Sequence, residues 1–302
     1  MKRLVVLLPV VALLAGACTF KKSEPGSASN PLKLYFVPSI EAKVIEANSD
    51  IIKKYLETNT PYKFEVSIPQ SYVAVVEAFG AKRADIAALN TFGYVLANQK
   101  YGAQARLTVI RFGKTTYSGQ IVVRSDSKIS DLKDLTGKKF AFVDPSSTSG
   151  YLLPMKMFND MGIKLKDTVF GGKHDSVISM VYQKQVDAGA TFYSPEENGE
   201  IQDARRLVKT QYPDVEKQIK ILKLTSEIPN DPIVFRADLP EEVKTKVTDA
   251  LIAFVATPDG KAAFKALYGV TDLQKSSDKE YDGVREMLKS LNLEAEKLLN
   301  KK

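Results

Sequence analysis

Cysteine occurs once in this chain of 302 residues, at position 18, histidine once, at position 174, and tryptophan not at all. A single cysteine excludes an internal disulfide, and one cysteine with one histidine is too small a ligand set for a zinc site. No G-x-S-x-G elbow is present, so a serine-hydrolase reading has no support. No block of five or more like charges occurs, and with tryptophan absent nucleic-acid binding is unsupported. Long apolar runs are equally scarce, the exception being residues 4–14. What is there is ordinary: 44% apolar and 26% charged residues describe a globular chain long enough for one large or two medium domains.

The N-terminus stands apart. Lys2-Arg3 precedes the apolar run Leu4–Leu14, then Ala15-Gly16-Ala17 and Cys18. This pattern is a secretory signal, too short to remain as a membrane span. Leu14-Ala15-Gly16-Ala17-Cys18 resembles a bacterial lipobox, with Ala15 where a leucine is usual, and Ala15-Gly16-Ala17 also reads as an A-x-A cleavage site. The sole cysteine, followed by the polar stretch Lys21–Asn30, favours the lipoprotein reading: a signal peptide over 1–17, then acylated Cys18 and a flexible tether over 18–30. Anchoring takes two or more acyl chains, since each buried CH₂ contributes about 0.8 kcal/mol and one chain holds marginally. With Cys18 acylated, thiolate chemistry is excluded as well. Cleavage lowers the formal charge from +7 to +5, an excess that suits an anionic lipid surface or small anions equally.

Along the body, strand-like and helix-like runs alternate, which argues for an α/β sheet. Leu32–Val37, Tyr62–Ile68 and Asp85–Leu89 read as strands, with helices over 40–58 and from Ser71 to Phe79. A second series starts near Tyr117: strands Gly119–Arg124, Lys139–Val143 and Val186–Ala190, with helices over 152–161 and Val177–Gln183. In both series an amphipathic helix leads through a polar turn into an aspartate and a small-residue strand, Asp85-Ile86-Ala87-Ala88 and Asp187-Ala188-Gly189-Ala190. The repeat implies two similarly built lobes, 31–118 plus 232–302 and 119–231, joined near Tyr117–Ile121 and Thr225–Phe235. Helical segments over 240–256, 259–268 and 278–299 are expected to pack back on the first lobe. A ligand in such an architecture sits between lobes, at the carboxyl ends of strands.

One segment bears directly on chemistry. Asp144-Pro145-Ser146-Ser147-Thr148-Ser149-Gly150-Tyr151 lies between a strand and a helix start, so hydroxyls and free backbone N–H groups converge at a positive helix end. Ser and Thr are also ordinary N-cap residues, and the octapeptide alone fits plain capping better than an oxyanion site.

The chain as a whole resembles the solute-binding proteins of phosphonate, phosphite and phosphate ABC importers, a branch of the type II periplasmic binding fold. The matching segments are Ser71–Ala78, Ala84–Ala88, Asp131–Lys138, Ser147–Tyr151, Lys173-His174-Asp175 and Ile228–Val234, in the family's order. The resemblance implies an α/β, two-lobed protein with a mixed sheet flanked by helices in each lobe and two crossover hinge strands. It implies that Ser147, Thr148 and Ser149 hold phosphorus oxygens, with Tyr72, His174 and Asp231 as further ligand contacts. A tyrosine O–H and an imidazole N–H are suitable donors, and a bound anion would favour the charged imidazole. His174 as a satisfied polar group and Asp231 as a turn cap are the competing readings. A carboxylate beside an oxyanion is repulsive unless a proton lies between them, so Asp231 is expected to accept a hydrogen bond from a P–OH.

Asn90 and Thr91, at the matching strand end of the first lobe, are weaker candidates that otherwise simply start the next helix. Where aminoalkylphosphonate binders carry an amine-reading acid, this chain has Tyr193 or Ser194, with Glu196 and Glu197 just beyond. Either Glu196 substitutes or the ligand has no amine; Phe192 and Tyr193 would wall a small pocket. The expected protein is an exported, lipid-anchored monomer that binds a small phosphorus oxyanion and docks on a membrane permease with its ATPase. It uses no cofactor or metal and is not an enzyme. A ligand sensor signalling to a membrane receptor is the alternative, and a phosphoester hydrolase a remoter one.

Overall fold

In Leu32-Lys33-Leu34-Tyr35-Phe36 every second side chain is buried, the period of a strand with one face on a core. The computed structural model describes residues 23–290 and builds this strand into the first of two sheets. Strands β1 (Leu32–Phe36), β2 (Phe64–Ser67), β3 (Ile86–Ala88) and β4 (Gln104–Ile110) belong to the first lobe. Strands β5 (Thr116–Arg124), β6 (Lys139–Phe142), β7 (Asp167–Phe170), β8 (Ala188–Tyr193) and β9 (Ile219–Pro229) make the second. The chain then returns with β10 (Pro232–Phe235) and β11 (Asp272–Lys275).

The sheet orders are β11-β4-β10-β3-β1-β2 and β7-β6-β8-β5-β9. In each, three strands run parallel, β1 to β3 and β6 to β8, and the strand arriving from the other lobe pairs antiparallel beside them: β10 on β3, β5 on β8. This is the two-lobed α/β architecture expected from the sequence, and the repeat extends to hydrogen bonds. Lys33 N–H donates to the Asp85 carboxylate at 2.9 Å, and Lys139 N–H to Asp187 at 2.8 Å.

Helices α1 (Ala42–Asn59), α2 (Tyr72–Gly80) and α3 (Thr91–Tyr101) follow the first three strands, and α4 (Leu153–Asp160) and α5 (His174–Tyr182) follow β6 and β7. The short α6 (Val215–Gln218) precedes β9, and α7 (Glu241–Val255), α8 (Pro258–Tyr268) and α9 (Asp282–Ser290) complete the chain. Helix α1 buries Ile45, Ser49, Ile52 and Leu56, one stripe at helical spacing. Each of its large apolar side chains contributes about 1.5–3 kcal/mol by leaving water. They share a core with α7 and α8, so the tail does pack on the first lobe. A second core runs continuously from Val75, Val76 and Phe92 of lobe one to Val143, Leu152 and Val177 of lobe two, so the lobes stand closed on each other.

Three boundaries differ from expectation. The first crossover is Arg111–Thr115 and not Tyr117–Ile121, because β5 already pairs with β9 from Thr116; a lobe limit at 118 would cut that strand. The second crossover narrows to Asn230-Asp231 between β9 and β10. Within the expected tether, residues 23–30 form a turn fastened to the first lobe: Lys63 N–H donates to Gly26 O at 2.7 Å, and Asn30 Nδ2 to Ser23 O at 2.9 Å. The signal peptide, Cys18 and the helix expected beyond 290 lie outside the described residues.

Candidate functional site

Both lobes present helix starts to the cleft. Ser71 Oγ accepts the Ala74 N–H at 3.3 Å and caps α2, which places Tyr72 as its first residue. In lobe two, Ser147 Oγ accepts the Gly150 N–H at 3.1 Å and opens a wide π turn, Thr148–Leu152, that runs into α4. Thr148 and Ser149 begin that turn, so their N–H groups have no carbonyl to reach within it. The turn lies against β5 at Gly119, where a Cβ would approach Ser149 O to 2.7 Å.

Seven of the eight residues singled out from the sequence, namely Tyr72, Asn90, Ser147, Thr148, Ser149, His174 and Asp231, line one interlobe cavity of about 60 Å³. A water needs about 10–15 Å³ on this measure, so the space suits a small compact ligand. Thr91 does not line it. Buried, it donates its O–H to Pro229 O at 2.8 Å, and its N–H reaches Asp231 Oδ1 at 3.2 Å.

The donors facing the cavity are under-used. Tyr72 Oη is fully buried and has no hydrogen-bond partner. Burial pushes its pKa well up, so it stays a protonated donor. The single histidine is also buried. The Phe192 N–H points at its Nδ1 at 3.3 Å, making that nitrogen an acceptor and leaving the ring proton on Nε2. Burial, reinforced by the nearby Arg111 charge, lowers its pKa to about 3, so the ring is neutral in the ligand-free protein. Thr148 Oγ1 accepts the Phe92 N–H at 3.0 Å and an Asn90 Nδ2–H at 3.3 Å, both from lobe one. Its own proton remains for an acceptor in the cavity. Asn90 also donates to Ser146 O at 2.7 Å, so it bridges the lobes as well as lining the site.

Asp231 does more than cap its turn. Its Oδ2 accepts from Arg111 at 2.6 Å, and Arg111 also donates to Asn230 Oδ1 at 3.0 Å and to Tyr268 O at 2.9 Å. Arg111 thus ties both crossovers together and neutralises the carboxylate that would otherwise repel an anion.

The sequence reading missed Arg111, Tyr117, Arg206, Tyr268 and Ser39, all of which line the cavity. Burial, then the Asp231 charge, raises the Tyr117 pKa and keeps it protonated, with the Ser149 and Thr91 hydroxyls beside it. Phe192 lines the cavity as expected, whereas Tyr193 does not. Glu196 is exposed and outside the cavity, and Glu197 pairs at 3.4 Å with Lys265. Neither replaces an amine-reading acid.

Residues 34–281 match the family model for the periplasmic substrate-binding protein of phosphonate ABC transporters. The chain belongs to this family. It is 30% identical over 241 residues to the phosphonates-binding periplasmic protein of Escherichia coli, covering 77% of this chain and 68% of that one. It is also 30% identical over 200 residues to a phosphate-import protein of Mycolicibacterium smegmatis, covering 60% of this chain and 62% of that relative. The methylphosphonate complex of a Prochlorococcus marinus homologue superposes with a TM-score of 0.75 at 19% identity, covering 87% of this chain and 98% of that one. Family members are substrate-binding components that export places in the periplasm, and the fold described above is theirs.

Proposed function

We propose that this protein captures a phosphorus oxyanion, whether phosphonate, phosphite or phosphate, between its closed lobes and delivers it to the permease of an ABC importer. The observation that carries this reading is the set of unspent donors around one small cavity: Tyr72 O–H, His174 Nε2–H, Thr148 O–H and the N–H groups of Thr148 and Ser149. Donors that water must otherwise satisfy, gathered on one small cavity, suit a ligand rich in acceptors. The relatives support the class of solute, since their names speak of phosphonates, phosphate and methylphosphonate.

Asp231 stays an acceptor for a P–OH in this reading, now with Arg111 holding it in place. The sequence around Cys18 supports attachment to the outer face of the cell membrane through acyl chains, with the protein acting as a monomer. Cys18→Ala is expected to move the protein from the membrane fraction to the soluble one; unchanged fractionation rejects the anchor.

Thermal shift with phosphate, phosphite and methylphosphonate tests the ligand class, because a ligand at 100 times its dissociation constant adds about 2.7 kcal/mol. Thr148→Val should cost about 2–3 kcal/mol of binding, read by titration calorimetry. Full affinity in that variant would reduce Thr148 to a helix-cap residue.

A further inference from the structure

Arg206 stands in a 3₁₀ turn, Ala204–Val208, of lobe two, and lines the interlobe cavity. Its Nε is fully buried with no hydrogen-bond partner, and its guanidinium has no ion pair among the described residues. The nearest acid, Asp203, is committed to Arg205 at 2.8 Å. Across the cleft, Arg206 Nη2 reaches the C-terminal end of α8, 3.4 Å from where a Cβ on Gly269 would sit. That helix end offers only partial negative charge, and its Tyr268 carbonyl is already taken by Arg111. Burial and the neighbouring Arg111 charge both work against the charged guanidinium.

The charges lining the cavity therefore do not cancel. Arg111 and Asp231 neutralise each other, His174 carries no charge, and Arg206 is left over. A cation that is half-buried, with its Nε fully shielded and unpartnered, is costly, and a cavity that retains one is built for an anion to complete it. No acid lining the cavity has charge left for an ammonium: Arg111 offsets that of Asp231, whose remaining acceptor capacity goes to the P–OH on the reading above, and Glu196 lies outside.

We infer that Arg206 sets the specificity of this site: it selects compact phosphorus oxyanions without a cationic substituent and rejects aminoalkylphosphonates. This inference rests on the phosphorus-oxyanion reading above and narrows it. The small cavity acts in the same direction, since a long substituent would have to displace wall side chains.

Titration calorimetry at pH 7 with phosphate, phosphite, methylphosphonate and 2-aminoethylphosphonate tests it. The protein is expected to bind its preferred amine-free ligand, and methylphosphonate in any case, at least tenfold more tightly than 2-aminoethylphosphonate. Equal or tighter binding of 2-aminoethylphosphonate overturns the inference without any variant, while leaving the oxyanion reading in place. If none of the four binds, the oxyanion reading itself falls. Arg206→Gln should weaken methylphosphonate tenfold or more and bring it level with 2-aminoethylphosphonate, and Arg206→Lys should restore the gap. A gap that survives in Arg206→Gln overturns the role of this residue. Arg206→Met supplies an independent readout: the ligand-free melting temperature should rise while the shift produced by methylphosphonate shrinks. A fall in the ligand-free melting temperature would show that the guanidinium is not an uncompensated charge, and the inference would fail.

Discussion

The two lobes share a frame and differ in what they bring to the cleft. In both, the second parallel strand leads into a helix whose first residue is buried and faces the cavity: Tyr72 in lobe one, His174 in lobe two. Each helix start meets a group from across the cleft. The His174 N–H donates to Ser39 O at 3.0 Å, and the Tyr72 N–H faces the Asp144 carboxylate. Ser39 and Asp144 sit in equivalent turns, after β1 and β6. The lobes thus complete one another's helix ends, and closure is written into the backbone before any ligand is considered. The difference lies one turn further on. After β1 the turn through Ser39 runs into α1 without a π turn, whereas after β6 the chain spends Ser147, Thr148 and Ser149 on capping and opening one. Lobe two carries the hydroxyl turn, and lobe one carries the groups that press on it.

The hinge gives the largest test of this division. Arg111→Met would remove the cation that pairs with Asp231 between the crossovers, and should cost about 3–5 kcal/mol of stability in chemical denaturation. A loss below about 1 kcal/mol would mean that the lobes are held by their shared core alone. The matched pair Tyr72 and His174 separates next. Tyr72→Phe removes a hydroxyl with no partner, so ligand-free stability should stay level or rise slightly while affinity drops about tenfold.

His174→Gln should act through pH. The imidazole's pKa is depressed to about 3 in the folded protein, against about 6.5 when unfolded, so protons bind the unfolded chain preferentially between those values. The stability tied to its neutral form is complete above about pH 6.5 and is lost as pH falls toward 3. The variant should show a shallower decline than the parent over that window; parallel curves would contradict a buried neutral ring. The two capping serines provide the smallest contrast. Ser71→Ala and Ser147→Ala should each cost about 1 kcal/mol of stability, but only Ser147→Ala should also weaken the ligand. Equal affinities would make both serines caps and nothing more.

Local signals were the legible ones. The alternation in β1, the Ser71 cap, the Asp-plus-small-residue strands and the hydroxyl turn all announce themselves within a few residues, whereas the ligand roles of Tyr72, His174 and Asp231 came from the family resemblance; seven of the eight site positions line one cavity. Arg111 did not. In Arg111-Phe112-Gly113-Lys114 it reads as a basic turn, and its meaning comes from Asp231, 120 residues later. Arg206 is masked similarly, one of two arginines in a turn whose neighbour, Arg205, has the obvious acid. Strand β11 has no pattern to find: Asp272-Leu273-Gln274-Lys275 buries one side chain and exists because β4 offers it an edge. Long-range partners decided each of these positions, and such pairing leaves no period in the sequence.

The Thr148 hydroxyl has a last consequence. Its oxygen takes two hydrogen bonds from lobe one, and each polarises the O–H toward giving its proton away, so the hydroxyl is its best donor only while the lobes are shut. Prying the lobes apart withdraws both bonds and demotes the hydroxyl in one movement. On the proposed function, unloading then requires no competitor for the ligand and no chemical change in it: mechanical work on the lobes, applied far from the cavity, is converted into a faster off-rate.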